Sequence, residues 1–575
     1  MRFMLGYMKK YAAAAAAGVI LKIIGTFMLL LLPYVLEHII DNVVPQKILW
    51  RVLVWGFVMI ALAFIERILN LTSNRISIKV AKNSITDIRR DLFKRTAALS
   101  GSQTDEAGLP SLTSRLTSDA LNVQGFIQNL QTFAIRAPLL VLGSIILTFT
   151  LDTVLALILC GIALLMLIVV IIISVKGIPL YDRVQKNVDA STRILRENIN
   201  GIRVVKALSR SAREEKRFNE KNTELARSER KAGMIMSLPG PVTTLLLNIG
   251  LVLIVVVGAR RVNDGLMQAG VILAFLTYFN FLLMGVTGLN RIFMMLSKAK
   301  ASAGRIKEVI DLPEDMPVIE ENAARGNKSF IEFDNVSFSY FKNVSRESGV
   351  HMAVSGISFT LERGQKLGII GPTGCGKTTL VNLLLRFYDA SEGHIYINGR
   401  DVRSYEKEEL RSLFGLAAQD GIVFADSIEN NISFGRSLSE EQISAASAAA
   451  MADEFIEQKG GLDYICSPRG ADLSGGQKQR VLIARALAAR PQILIFDDAA
   501  SALDLATEAA LRGALNEKYK NTSKIIISQR ISSIMDADKI LVMDSGKIAD
   551  CGTHEELLRS CPAYRDIYEI QMEGM

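Results

Sequence analysis

The sequence predicts two unlike parts, an all-α domain of six membrane-spanning helices followed by a soluble α/β domain. Three observations carry this reading. Half of the 575 residues are hydrophobic and the mean hydropathy is +0.27, high for a soluble chain in which 22% of residues are charged. The long apolar runs all lie before about residue 300. Beyond residue 329, short apolar strands alternate with helical stretches, and the strand at 367–370 runs straight into a glycine-rich turn and a helix. A chain of this length holds more than one domain, and the boundaries read 1–311, a polar linker at 312–328, and 329–575.

Residues 1–10, with Arg2, Lys9 and Lys10, form an amphipathic lead-in. The run 12–36 is the first span. It is long, Lys22 interrupts it and no small-residue cleavage site is clear, so it reads as a retained helix and not a signal peptide. Lys22 is expected to snorkel or to face a cavity. The second span, 50–71, carries Trp50 and Trp55 at an interface, with Glu66 and Arg67 as a paired, inward-facing couple. Residues 72–128 are helical, charged and basic, too polar for lipid. Asp152 alone separates the third span, 134–151, from the fourth, 153–175. A second charged excursion covers 176–231. The fifth span is 234–258, with Pro239 and Pro241 as kinks near its start. The sixth, 267–289, continues as a helix to Ile310. Short outer loops and two long inner excursions leave helices in the cytoplasm that need something there to touch.

The net charge of +8 does not point to nucleic acid, because the basic residues of the first half sit between apolar spans, as the positive-inside rule requires. Five scattered cysteines, Cys160, Cys375, Cys466, Cys551 and Cys561, make no CxxC pair or metal spacing and imply reduced thiols.

The chemistry lies in the second part. Gly371, Thr373, Gly374, Cys375, Gly376, Lys377, Thr378 and Thr379 belong to a GxxxxGK[ST] loop and the helix it opens. Its glycines let backbone N–H groups wrap phosphate, Lys377 reaches the β- and γ-oxygens, and the Thr378 hydroxyl is offered to Mg²⁺. The apolar strand 493–496 then delivers Asp497 and Asp498 at its C-terminal end, where open α/β sheets place ligands. A carboxylate there can hold Mg²⁺. Together these motifs predict a site for a nucleoside triphosphate.

Between them, Ser474, Gly475, Gly476 and Gln477 open the helical run 478–488, and a helix N-terminus with two glycines favours an anion. With this stretch in place the chain resembles one half of an ATP-binding cassette (ABC) exporter over essentially its whole length. The resemblance makes Ser474 to Gln477 the family's signature and Gln419 the glutamine loop that senses the membrane domain, with a role in catalysis and at the metal. It makes Tyr340 the aromatic that stacks on adenine, and places Asp504 in the D-loop. Arg469 and Gly470 keep part of the loop before the signature, although Pro468 stands where a glutamate is common. Coupling loops are implied at 114–119 and 200–206. ATP and Mg²⁺ are the implied cofactors, each ATP lying between one chain's P-loop and its partner's signature.

Two residues depart from the family pattern. The catalytic base after the Mg²⁺ aspartate is usually glutamate, and here it is Asp498, shorter by one methylene and roughly 1.5 Å of reach. The histidine of the switch loop is replaced by Gln529, which hydrogen-bonds a γ-phosphate but takes no proton and carries no charge. The pattern resembles the degenerate-site half of bacterial heterodimeric multidrug exporters. The implied partner is a second half-transporter that keeps glutamate and histidine, in a multi-pass assembly of the cell membrane with its nucleotide domains in the cytoplasm. The cargo would be an apolar or amphipathic small molecule or peptide. Rival readings are a homodimeric exporter, a lipid flippase, an inward transporter of the same fold, and an ATP-gated channel or regulator.

Overall fold

The computed structural model describes residues 1–313, 315–320, 329–340 and 352–573. Most of the predicted linker, 314 and 321–328, lies outside the described residues. The chain divides into two compact units, Met1–Ala98 with Gly108–Leu312, and Leu99–Ala107 with Pro313–Met575.

The first unit is helical. Its elements are α1 (Arg2–Lys9), α2 (Ala12–His38) and α3 (Leu49–Ala97); α4 (Gly101–Ala107) follows but belongs to the second unit. Then come α5 (Leu109–Ser114), α6 (Ala120–Gln131), α7 (Phe133–Leu151), α8 (Thr153–Asn200), α9 (Ile202–Ala207), α10 (Ser211–Ser237), α11 (Pro239–Asn263) and α12 (Ala269–Ile310). Among the described residues, six helical runs are long and apolar enough to cross a membrane. At 49 residues α3 is roughly 70 Å long, about twice the hydrocarbon core of a bilayer, so half of it must leave the lipid.

Aromatic packing makes the core of this unit. Phe275, Tyr278, Phe279 and Leu282 of α12 are buried with Leu155 and Leu159 of α8 and Ile254 of α11, and the Tyr278 hydroxyl donates to the Leu30 carbonyl at 2.9 Å. The minimal outer turn is held by Asp152. One carboxylate oxygen accepts from the Leu155 N–H at 2.9 Å and caps α8, while the other pairs with Arg261 at 2.8 Å.

Two expectations change, and a third holds. Glu66 does not pair with Arg67, because neighbours on a helix point about 100° apart. Its carboxylate accepts from Asn70 at 2.9 Å and faces Arg136 at 3.9 Å. Lys22 neither snorkels nor faces open space: it is 4% exposed and donates to Asn70 and to Asn74. Pro239 and Pro241 stand at the expected kink, where the helical run Ser211–Asn263 bends at Leu238. They occupy the first turn of α11, where the missing N–H costs little, and mark the junction with α10.

The second unit is α/β. Among its described residues, β1 (Ile331–Phe338), β2 (Val354–Leu361), β4 (Glu392–Ile397) and β5 (Arg400–Asp401) form an antiparallel sheet in the order β2-β1-β4-β5. A second sheet runs β10-β9-β3-β8-β7-β6, built from β3 (Lys366–Ile370), β6 (Phe414–Ala417), β7 (Ile493–Asp497), β8 (Ser523–Ile527), β9 (Lys539–Asp544) and β10 (Lys547–Gly552). All its pairings are parallel except β9 with β10. Strands β3, β7 and β8 are buried along their whole length, as strands covered on both faces must be. Because β6, β7, β8 and β3 are parallel neighbours, their C-terminal ends open onto one edge. Gln419, Asp497, Gln529 and the loop 371–376 all leave the sheet there.

Candidate nucleotide site

Strand β3 passes into the loop 371–376 and then into the helix Lys377–Leu384. Gly376 has φ +102°, and a Cβ there would come 2.6 Å from the Ala353 carbonyl, so the turn admits no larger residue. Lys377 is buried and folds back on its own loop, donating to the carbonyls of Gly371 at 2.7 Å and Pro372 at 2.8 Å. An ammonium held at the mouth of a ring of N–H groups is the charge arrangement a polyphosphate requires.

Tyr340, Thr373, Gly374, Gly376, Lys377, Thr378, Thr379, Gln419, Asp497, Asp498 and Gln529 line one open cavity of about 420 Å³. Eleven residues expected at the site from sequence therefore meet in one place. Gly371 and Cys375 complete the loop behind it; Cys375 is buried. Thr378 Oγ1 lies 3.3 Å from Asp497 Oδ1, with Gln419 in the same wall. An oxygen-only set of this kind suits a hard cation that keeps several waters, so the residues present fit Mg²⁺.

The two carboxylates differ. Burial pushes Asp497 above the usual aspartate range and the charge of Asp498 adds to this, against the Thr378 hydrogen bond. Burial also raises Asp498, while Lys377 and Arg530 pull it down. Both directions mark carboxylates that gain from a nearby cation. Asp498 sits at φ +51°, its N–H donating to the Ile527 carbonyl at 3.0 Å. Aspartate tolerates that left-handed backbone better than most residues.

Tyr340 stands at the cavity mouth, 42% exposed. Its ring meets Phe338 and Tyr388 edge-on at 4.9 and 5.2 Å, and its hydroxyl donates to Thr379 at 3.2 Å. One face of an aromatic ring is thus offered beside the phosphate loop, as stacking on a base requires.

The remaining predicted residues lie elsewhere on the unit. Ser474 and Gln477 close a reciprocal cap on the helix Gly475–Ala488, with Gln477 N–H to Ser474 Oγ at 3.2 Å and Ser474 N–H to Gln477 Oε1 at 3.0 Å. Gly475 and Gly476 lie beside Ala502, so signature and D-loop share one patch of surface. Asp504 does not reach the cavity. It caps the helix Leu505–Lys518 by accepting from the Thr507 N–H at 2.9 Å.

Sequence reasoning missed one docking element. The segment 114–119 is packed into the first unit, where Asp119 accepts from Arg305 Nε at 2.8 Å and Arg115 pairs with Glu308 at 3.2 Å. The segment that joins the nucleotide unit is α4, which begins thirteen residues before that implied loop. Gly101 N–H donates to the Phe387 carbonyl at 3.1 Å, and a Cβ on Gly101 would come 2.7 Å from the Tyr388 ring. Helix α9, which overlaps the implied loop 200–206, has no buried residue.

Residues 16–286 match the model of the ABC transporter transmembrane region, and residues 354–501 match the model described as ABC transporter. The chain is 33% identical to the uncharacterized ABC transporter ATP-binding protein YfiB of Bacillus subtilis, over 99% of this chain and 98% of that protein. It is also 33% identical to the ATP-dependent lipid A-core flippase of Methylobacillus flagellatus, over 90% and 87%. A bacterial Atm1-family ABC exporter with ATP bound shares the fold, with a TM-score of 0.80 at 24% identity, covering 98% of both chains.

Proposed function

The chain belongs to the ABC transporters that fuse a transmembrane region to an ATP-binding region, and from that premise we propose that it is one half of a heterodimeric exporter whose own ATP site is degenerate. Its ATP-binding domain couples ATP hydrolysis to transport across the membrane its helices cross. The observation that carries the proposal is the composition of one cavity wall. Lys377, Thr378 and Asp497 supply a complete phosphate and cation cradle, and Asp498 and Gln529 stand in the same wall where a longer glutamate and a histidine are usual in the family.

Thr378 and Asp497 would hold Mg²⁺, with Gln419 beside them, and the ion when bound neutralises charge on the β- and γ-phosphates. Lys377 exchanges its loop carbonyls for phosphate oxygens, and Tyr340 stacks on the base. Asp498 reaches less far toward an attacking water. Gln529 donates a hydrogen bond to the γ-phosphate without adding positive charge. Such a site retains ATP and turns it over slowly. The capped helix presents Gly475 and Gly476 at its N-terminus to complete the site of a partner half that keeps glutamate and histidine. The partner's hydrolysis then drives alternating access, with the nucleotide domains on the cytoplasmic face of a bacterial cell membrane.

For the cargo, a relative named as a lipid A-core flippase supports an amphipathic compound with an acyl or multidrug-like apolar body. The decisive measurement is ATPase activity of the purified chain alone and mixed with a neighbouring half-transporter that carries both residues. Slow turnover alone, fast turnover together, and loss on removing the neighbour's glutamate support the heterodimer. Vigorous turnover by this chain alone makes it a homodimeric exporter with Asp498 as a competent base.

A further inference from the structure

The last helix of the nucleotide unit, Pro562–Glu573, lies against the loop that carries Gln529. Its anchor is Tyr564, fully buried in the core, with its hydroxyl 2.8 Å from His554 Nδ1. Ile567 and Tyr568 pack on the same core. Positions three, four and seven residues beyond Tyr564 share its helix face, so Gln571 is delivered to that side as well. There its side-chain amide meets the switch loop with both ends. Gln571 Nε2 donates to the Gln529 carbonyl at 2.7 Å, and Gln571 Oε1 accepts from the Ile531 N–H at 2.9 Å. From the other side, the buried carboxylate of Glu508 takes Arg530 at 3.4 Å and the Ser533 hydroxyl. The loop between β8 and the 3₁₀ turn Ile531–Ser533 is thus pinned at its backbone while Gln529 lines the cavity.

We propose that Gln571 is a positioning residue of the ATP site, a clamp from the C-terminal helix that sets where Gln529 meets the γ-phosphate. This rests on the reading of Gln529 given above. A protonated histidine is attracted to phosphate over several ångströms, whereas a neutral amide acts only within hydrogen-bond range. A chain with glutamine at this position therefore depends on its backbone being placed in advance. One amide group that satisfies a carbonyl and an N–H on either side of Arg530 supplies that placement, because no single-ended side chain fixes both position and rotation.

The test uses the full chain in lipid nanodiscs, with Mg-ATP and Mg-ADP as probes, and reads the ratio of their dissociation constants. Gln529→Ala, Gln571→Ala and Gln571→Glu are compared. Loss of the clamp weakens ATP binding by roughly three- to tenfold and leaves ADP within about twofold, since only ATP carries the γ-phosphate. Gln571→Glu keeps an acceptor for Ile531 but sets a carboxylate oxygen against the Gln529 carbonyl, so it gives the same selective loss and serves if the alanine variant does not fold. In the Gln529→Ala background, Gln571→Ala has no further effect on ATP. A merely structural role would lower Tm and weaken both nucleotides alike. That result, or no change in either Gln571 variant while Gln529→Ala loses ATP selectively, sinks the clamp and leaves the site reading intact. An unchanged ratio in Gln529→Ala removes Gln529 from the γ-phosphate, and the clamp falls with it.

Discussion

The Tyr388 hydroxyl donates to Asp105 Oδ2 at 2.6 Å, and the same ring lies edge-on to Tyr340 at 5.2 Å. One side chain therefore touches both the aromatic at the nucleotide mouth and the short helix that follows α3. Asp105 and Tyr388 are 283 residues apart in sequence. Removing the hydroxyl deletes the polar contact and spares the aromatic one. Tyr388→Phe is expected to leave ATP binding unchanged and to speed amide exchange in α4 by roughly three- to tenfold, the loss of one hydrogen bond to a charged group. Burial, and then the Asp105 bond, hold the Tyr388 phenol well above its ordinary value. A raised phenol favours the protonated donor, so the contribution is complete below about pH 10 and fades only as pH rises through the raised value. Exchange protection of α4, corrected for intrinsic rates, should stay flat from pH 6 to about pH 10 in the parent chain.

Asp498 at φ +51° bears on any attempt to restore hydrolysis. Glutamate gains reach but sits less comfortably in the left-handed region, where aspartate and asparagine are enriched. It also leaves the switch position uncharged. Asp498→Glu alone is expected to raise single-site turnover by less than about tenfold, and Asp498→Glu with Gln529→His by considerably more than the product of the single effects. Turnover is best read with the partner's own glutamate removed, so that only this site reports. Additive effects of the two substitutions would mean the residues act independently.

How much of this was legible beforehand follows from distance along the chain. The phosphate loop is a contiguous run, and Asp497 ends a strand whose apolar run announces it, so both could be read directly. The six spans were legible for the same reason, being long and nearly continuous apolar runs. The partner of Glu66 was not, since Arg136 lies on another helix seventy positions away and neighbouring Arg67 was the only candidate that sequence offered. The α4 docking segment was also hidden. Its sequence, GSQTDEA, is polar and unremarkable, and the ring of Tyr388 closes over Gly101 only in three dimensions. Gln571 shows the same limit, although the spacing of Tyr564, Ile567, Tyr568 and Gln571 on one helix face was a usable signal.

Asp152 performs two tasks that substitution can separate. Asparagine caps a helix nearly as well as aspartate, while alanine does not. Asp152→Asn should lose only the Arg261 pair, and Asp152→Ala should lose the cap of α8 as well. The expected order of Tm in detergent is parent, then Asn, then Ala, with the second step worth about 1 kcal/mol. Added salt should narrow the first gap and leave the second, because screening acts on the ion pair and not on the cap. Equal losses in both variants would assign all the stability to the pair.

The polar group inside the helical unit gives the sharpest asymmetry. Asn70 bridges Lys22 and Glu66, accepting from the first and donating to the second, and Glu66 also faces Arg136. One carboxylate thus faces Arg136 directly and Lys22 through Asn70. Removing a buried ion is costly when it strands its counterion and cheap when it does not. Lys22→Met leaves Glu66 with Arg136 as a neutral pair, frees Asn70 and Asn74 to bond each other or backbone, and fills the space with a flexible apolar chain. Glu66→Gln leaves Lys22 and Arg136 facing each other in an apolar setting with no anion between them. The expected cost of Glu66→Gln is about 3–5 kcal/mol, against less than about 1 kcal/mol for Lys22→Met. Lys22→Met added to Glu66→Gln should then recover part of the loss, since it removes one of the stranded charges. Thermal unfolding of the three variants in nanodiscs distinguishes this from a lysine that merely fills space, for which Lys22→Met would be the more damaging change and the double variant would be the least stable of all.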